Sequence, residues 1–168
     1  MYMDEAGFGR ISEPKRCWCP KGVRPIVPRH HIREYRYAYA AADPHDGEFF
    51  SLVLPYANTE CMDIFLQHLS WQYPKDMMLL AMDQASYHTT PKLNVPKNIV
   101  PFFLPSKTPE LNPMEQVWRE VRAEGFRNEF FKSLSNVIDR LCDTLVSFTR
   151  EQIKSIVGRE WILGIFAK

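Results

Sequence analysis

Three acidic residues far apart in the chain carry the side chains best suited to chemistry. Asp4 follows the short start Met1-Tyr2-Met3, Asp83 directly follows an apolar run at 77–82, and Glu115 lies in the first turn of a helix that Pro113 opens. In an α/β sheet, ligands bind in the crevice at the strand ends, so acids at such points can converge however distant they are in sequence. Convergent carboxylates bind hard cations. Mg²⁺ takes oxygen ligands, is held by a few carboxylates, and keeps positions open for phosphate oxygens and water. Two such ions about 4 Å apart activate an attacking oxygen on one side of a phosphodiester and stabilise the leaving oxygen on the other. Each acid also has a plainer reading: Asp83 as the cap of the turn Gln84-Ala85-Ser86, and Glu115 as the capping-box partner of Asn112. Arg119 and Arg122 fall near Glu115 on the helix surface, placed either to meet a phosphate or to pair across one turn.

The elements that must position these acids follow from periodicity. Tyr35-Arg36-Tyr37-Ala38-Tyr39-Ala40 alternates as a strand does, Asp43-Pro44-His45-Asp46-Gly47 breaks it, and 48–54 reads as the return strand of a hairpin. Thr59 is placed to cap a helix whose stripe is Met62, Phe65, Leu66 and Leu69. The unbroken apolar runs at 77–82 and 99–104 suit strands of a parallel sheet covered on both faces. Asn112-Pro113 caps and opens a helix with core stripe Met114, Val117, Trp118 and Val121; Ser133 precedes a second, with Leu134, Val137, Ile138, Leu141 and Leu145. Thr149-x-x-Gln152 is a capping box for a short final helix that stops at Gly158. Strands, then strand–helix alternation, then helices describe an α/β sandwich with a mixed sheet and a helical C-terminus.

The 168 residues, 45% hydrophobic and 24% charged, are the mixture of one globular domain spanning 1–168, with no repeat or Gly/Ser linker to divide it. No apolar run approaches the roughly 20 residues a membrane helix needs, and Asp4 and Glu5 stand where a signal peptide is basic and then apolar, so a cytoplasmic protein is expected. Lys and Arg number 21 against 20 Asp and Glu, a net charge of +1 that gives no global hint of a nucleic-acid partner. The layout differs from the average. Between residues 10 and 36, Arg10, Lys15, Arg16, Lys21, Arg24, Arg29, Arg33 and Arg36 face only Glu13 and Glu34, with Trp18 interleaved among prolines. A cationic aromatic arm of this kind is what phosphate-backbone contact uses, and equally what a solvated loop displays. Cys17-x-Cys19 with His30 and His31 departs from the two-residue spacing of structural zinc sites and reads as reduced thiols.

Taken together, Met3-Asp4-Glu5-Ala6-Gly7-Phe8, Met82-Asp83-Gln84-Ala85-Ser86-Tyr87-His88 and Pro105-Ser106-Lys107-Thr108-Pro109-Glu110-Leu111-Asn112-Pro113-Met114-Glu115-Gln116-Val117-Trp118 resemble the DDE transposases of bacterial insertion sequences, in the Tc/mariner superfamily. The third block is the most specific: a proline-rich loop, Leu-Asn-Pro, an apolar residue, Glu, and Trp three residues on. Arg16-x-Trp18 and Lys21-Gly22 in the arm add to it. The resemblance implies an RNase H-like (retroviral-integrase-like) domain with a mixed five-stranded sheet flanked by helices, the basic arm being inserted after the first strand. It implies that Asp4, Asp83 and Glu115 form a triad binding two Mg²⁺ or Mn²⁺ ions, filled fully only with DNA. It also implies cleavage at the element's ends by water and attack of the freed 3′-hydroxyl on target DNA, usually at a TA dinucleotide. DNA contacts are then expected from Arg10, Lys15, Arg16, Trp18, Lys21, Arg24, His88, Lys107, Arg119 and Arg122, with Ser86 bordering the site.

Three features depart from the pattern. Gln84 stands where the family more often has Asn, the Asp83–Glu115 interval is slightly short, and only three residues precede Asp4 where a central strand usually has about five or six. The helix-turn-helix region with which relatives read terminal repeats has no counterpart in this sequence, so a separate or frameshift-joined upstream product is an expected partner, alongside double-stranded DNA and a second copy of the chain. Two alternatives stand beside the transposase: a non-catalytic remnant serving as a DNA-binding module, and another RNase H-like nuclease.

Overall fold

The computed structural model describes residues 1–11, 14–28 and 31–165. Five strands, β1 (Tyr2–Gly9), β2 (Tyr35–Ala42), β3 (Phe49–Leu54), β4 (Met78–Met82) and β5 (Ile99–Phe103), form one sheet in the order β3-β2-β1-β4-β5. β2 is antiparallel to β1 and β3, whereas β4 runs parallel to β1 and β5 parallel to β4. The helices are α1 (Thr59–Gln72), α2 (Met114–Gly125), α3 (Leu134–Ser147), α4 (Arg150–Val157) and α5 (Glu160–Ile165). This is the mixed five-stranded, helix-flanked sheet of the RNase H-like fold.

Strand alternation divides the core in two. Ala6, Phe8, Ala38, Ala40 and Ala42 face α2, α3 and α4, meeting Val117, Trp118, Val121, Val137, Leu141 and Ile153. Small alanines on the sheet let these helices approach closely, and each large side chain buried there contributes about 1.5–3 kcal/mol. Met3, Tyr39, Ala41, Leu80 and Met82 face the other way, onto Cys61, Met62, Phe65, Leu66 and Leu69 of α1. The apolar stripes expected for α1 and α2 are therefore the buried faces of those helices.

Some local expectations change. The α1 cap is Asn58, whose extended backbone lets its side chain accept the Cys61 N–H at 2.9 Å; Thr59 is the first helical residue. Ser133 caps α3, and Thr149 with Gln152 forms the capping box of α4. α4 is not the final helix, because α5 follows Gly158 and buries Ile162. β4 is not covered on both faces: Leu79 is 49% exposed and Phe102 of β5 52%, since α2–α4 pack over the β1–β2 side of the sheet. Pro101 fits because β5 is an edge strand, where a missing N–H can face solvent.

The basic segment is the loop of the β1–β2 hairpin. Gly9 pairs with Tyr35, the Arg10 N–H donates to the Glu34 carbonyl at 3.1 Å, and the Arg10 guanidinium pairs with Glu34 at 2.9 Å. Gly9 is required by this closure, since a Cβ there would lie 2.5 Å from the Glu34 carbonyl oxygen. Farther out, Gly22 at φ 87° completes a turn in which the Val23 N–H reaches the Pro20 carbonyl.

Candidate active site

β1 does not end at Asp4. The parallel register pairs Tyr2 with Ala81, so two residues on Asp4 stands beside Asp83, just where β4 has stopped at Met82. β1 continues to Gly9, so the strand gains most of its length beyond the acid. The loops after β4 and β5 fold into the space beside it. The Gln84 amide donates to the Leu104 carbonyl at 2.8 Å and the Leu104 N–H to the Met82 carbonyl at 2.9 Å, tying the two loops together.

The third acid arrives through Asn112. This buried amide donates to the Met3 carbonyl at 3.0 Å and accepts the Met114 N–H at 3.1 Å, fixing the start of α2 against β1 one residue before Asp4. Three residues apart on α2, Glu115 and Trp118 share a helix face. Trp118 Nε1–H donates to Asp4 Oδ2 at 2.9 Å, and Glu115 is close enough for its charge to act on Asp4. The Glu-x-x-Trp spacing thus joins an acid at the cleft to the anchor of another acid.

Asp4, Asp83 and Glu115 line one cleft of about 290 Å³, together with Gln84, Ser106, Lys107, Thr108 and Asn112. Burial pushes the Asp4 carboxyl from its ordinary 3.8 up to about 7; the Glu5 charge adds to this, the Trp118 hydrogen bond opposes it, and Glu115 contributes further repulsion. Three oxygen donors, one held near neutrality by burial and the other carboxylates around it, form a donor set that suits a hard cation. Among the described residues no three His, Cys, Asp or Glu side chains close into a ready-made cage. The cleft brings the donors together without presenting a finished coordination shell.

Asp83 is held from behind. Its Oδ1 accepts the Ala85 N–H at 3.0 Å and faces His88 Nδ1 at 2.6 Å. His88 is only 2% exposed, wedged between Asp83 and Glu5, so the ring is not available to DNA as expected. Burial pulls its pKa down, but Glu5 and Asp83 outweigh that and the net direction is upward. Glu5 escaped the sequence reading as a residue of the site. The signal was its place one residue after Asp4, on the opposite face of β1.

The other expected DNA contacts divide. Lys15, Arg16, Trp18, Lys21 and Arg24 are exposed on the arm, and Lys107, at φ 63°, is exposed on the cleft rim. Arg10 is committed instead, to Glu34 and to the Phe131 carbonyl at 3.2 Å, and closes the base of the arm. Arg119 turns to Gln116 and Glu120 and is not part of the cleft wall. Arg122 lies over the Phe8 ring at 5.0 Å in a second cleft of about 300 Å³, with Lys15 and Arg127. Ser86 is exposed beyond the cleft. Cys17 and Cys19 are free and exposed, and Cys19 Sγ donates to the Val23 carbonyl; His30 lies outside the described residues, as do Glu13 and Arg29. No helix among the described residues is long and apolar enough to cross a membrane.

Residues 1–138 match the family described as DDE superfamily endonuclease. The chain belongs to that family. A relative from Sinorhizobium fredii, the uncharacterized protein y4pE/y4sA, is 37% identical over 130 residues, covering 76% of this chain and 96% of its own. Among solved structures, the pre-cleavage Mos1 transpososome aligns with a TM-score of 0.69 at 14% identity, and the Mos1 transposase paired-end complex with 0.67 at 16%; each covers 93% of this chain. This chain spans about half of those transposase chains (51% and 50%) and 74% of the separately solved Mos1 catalytic domain, which aligns with a TM-score of 0.57. At these identities the likeness is one of fold, and it is the fold that the DDE endonuclease domain carries.

Proposed function

We propose that this DDE endonuclease domain is the catalytic part of a transposase, encoded by a bacterial insertion sequence, that cuts DNA at its element's ends and joins the freed 3′-hydroxyl to a target. The observation that carries the reading is the convergence of Asp4, Asp83 and Glu115 on one cleft from three separate elements. Asp4 and Asp83 would share two Mg²⁺ or Mn²⁺ ions and Glu115 would complete the shell of one; the Mos1 paired end complex has been solved with Mn and with Mg. Bound there, the ions supply an activated attacking oxygen and charge stabilisation at phosphorus. The chain's own part is positional: Trp118 fixes Asp4, Asn112 sets Glu115 against β1, and Lys107 offers a cation to phosphate at the rim. The exposed arm, with Lys15, Arg16, Trp18, Lys21 and Arg24, holds duplex flanking the cleft. A helix-turn-helix product supplies recognition of the ends, and a second copy of the chain pairs them.

The test is nicking and joining of a supercoiled plasmid with Mg²⁺ or Mn²⁺, comparing wild type with Asp83→Asn. Loss of both activities in the variant is expected; equal nicking by the two proteins overturns the proposal. Cleavage without any joined 3′-end would mark a nuclease of the same fold. A second reading, a DNA-binding module without catalysis, draws on the exposed cationic arm and predicts salt-sensitive binding indifferent to divalent metal.

A further inference from the structure

Behind the cleft lies a buried polar group that the proposed chemistry does not use. Glu5 has a side chain only 8% exposed, and its Oε2 and His88 Nε2 face each other as an ion pair at 3.4 Å, both fully buried and neither with a hydrogen-bond partner among the described residues. The Tyr87 hydroxyl donates to the other Glu5 oxygen, and the Tyr87 ring meets the His88 ring edge-on at 4.6 Å, fixing its plane. A carboxyl group so deeply buried needs polar partners, and among the described residues Tyr87 and His88 face it. The opposite nitrogen of His88 is the one 2.6 Å from Asp83 Oδ1. With the Ala85 N–H on the same atom, Oδ1 is saturated, while Oδ2 takes no hydrogen bond among the described residues.

We propose that Tyr87, Glu5 and His88 form a positioning relay that locks the Asp83 carboxylate, holding Oδ1 through His88 Nδ1–H and leaving Oδ2 as the atom offered to a divalent cation. The inference rests on reading Asp83 as a metal ligand. Glu5 acts as the fixed end: facing Nε2, it orients the ring so that Nδ1 points at Asp83. The five-residue return from Asp83 to His88 and the neighbouring positions of Asp4 and Glu5 on β1 then have one explanation. Consecutive strand residues face opposite sides of the sheet, one toward the cleft and one toward its support. Groups that hold a ligand from behind typically change metal affinity 10–100-fold when lost.

Binding of Mn²⁺ alone to the full chain, followed by the electron paramagnetic resonance signal of free Mn²⁺, tests this with four proteins: wild type, Asp83→Asn, His88→Leu and His88→Asn. Asparagine keeps a donor near the Nδ1 position and leucine keeps only bulk. Affinity should fall at least about 10-fold in His88→Leu and recover in large part in His88→Asn, with thermal melting showing both folded. Wild-type affinity in His88→Leu, or an asparagine no better than leucine, overturns the relay while loss in Asp83→Asn leaves the metal reading standing. Equal binding by wild type and Asp83→Asn, including none by either, defeats the metal reading and the relay with it. Should His88→Leu not fold, wild type carrying ¹⁵N-labelled histidine decides: a proton on His88 Nδ1 supports the relay, and a bare Nδ1 refutes it.

Discussion

Neutralising Asp4 should stabilise the metal-free protein, and by an amount that grows with pH. The carboxyl is raised from 3.8 to about 7 in the folded chain, chiefly by burial and then by the Glu5 charge. Between those two values the folded state holds a proton that the unfolded state has released, so stability declines as pH rises and levels off above about 7. Each tenfold change in proton affinity is worth about 1.4 kcal/mol, so the rise from 3.8 to about 7 sets a ceiling of about 4 kcal/mol on the cost of carrying this charge at pH 8. Asp4→Asn keeps an acceptor for Trp118 Nε1–H and removes the charge. In EDTA at pH 8 the variant should therefore melt higher, by up to ~8–16 °C for a domain of this size. At pH 5 the gap should shrink by roughly 3 kcal/mol, because most of the pH interval over which the penalty accumulates lies above that value. Added Mn²⁺ should raise the melting temperature of wild type and leave Asp4→Asn nearly unmoved, since a ligand stabilises only the form that binds it. Identical melting of the two proteins at pH 5 and pH 8 without metal would refute the account of Asp4 as a carboxylate short of a cation.

Asn112→Ala strands the Met3 carbonyl and the Met114 N–H in the interior; a loss of about 2 kcal/mol in urea unfolding is expected, together with weaker Mn²⁺ binding as α2 loses its tie to β1. Lys21→Ala and Arg24→Ala, both on the exposed arm, should each lower the slope of log affinity against log salt for duplex DNA by about 0.9. Their melting temperatures should stay at the wild-type value. Arg10→Ala should do the reverse, lowering thermal stability through loss of the Glu34 and Phe131 contacts while leaving the salt slope unchanged.

Helices were legible in the sequence because their signals are local. Met62, Phe65, Leu66 and Leu69 need only the helical period to declare a buried face, and Thr149 with Gln152 declares a cap within four residues. Asn58 and Thr59 are both good caps side by side, and the choice between them is made by backbone angles that no residue type fixes. The three acids could be named from their places at element boundaries, yet the position of Asp4 inside a strand depended on pairing with β2, which begins 31 residues later in the chain. His88 is the clearest limit. An exposed DNA contact and a buried strut have the same residue type, and the difference is Glu5, 83 positions away, brought beneath it by the sheet. Arg10 and Arg119 likewise carried the right charge for DNA, but nearby Glu34 and Glu120 compete for it.

The chain leaves the sheet at Gly9 and returns beside it at Tyr35, with the Arg10 N–H and the Glu34 carbonyl closing the gap. The first stretch of the excursion is also tied down, the Lys15 N–H donating to Asn128 Oδ1 at 2.8 Å and the Arg127 guanidinium to the Arg16 carbonyl. Doubling such an excursion adds only about 0.6 kcal/mol of closure entropy. Beyond Arg16 the arm can therefore be lengthened, shortened or recharged with little effect on the five strands, and Asp4, five residues upstream of Gly9, should keep its place. On the proposed function, one segment could thus be changed to suit different DNA while the sheet and its three acids stay as they are.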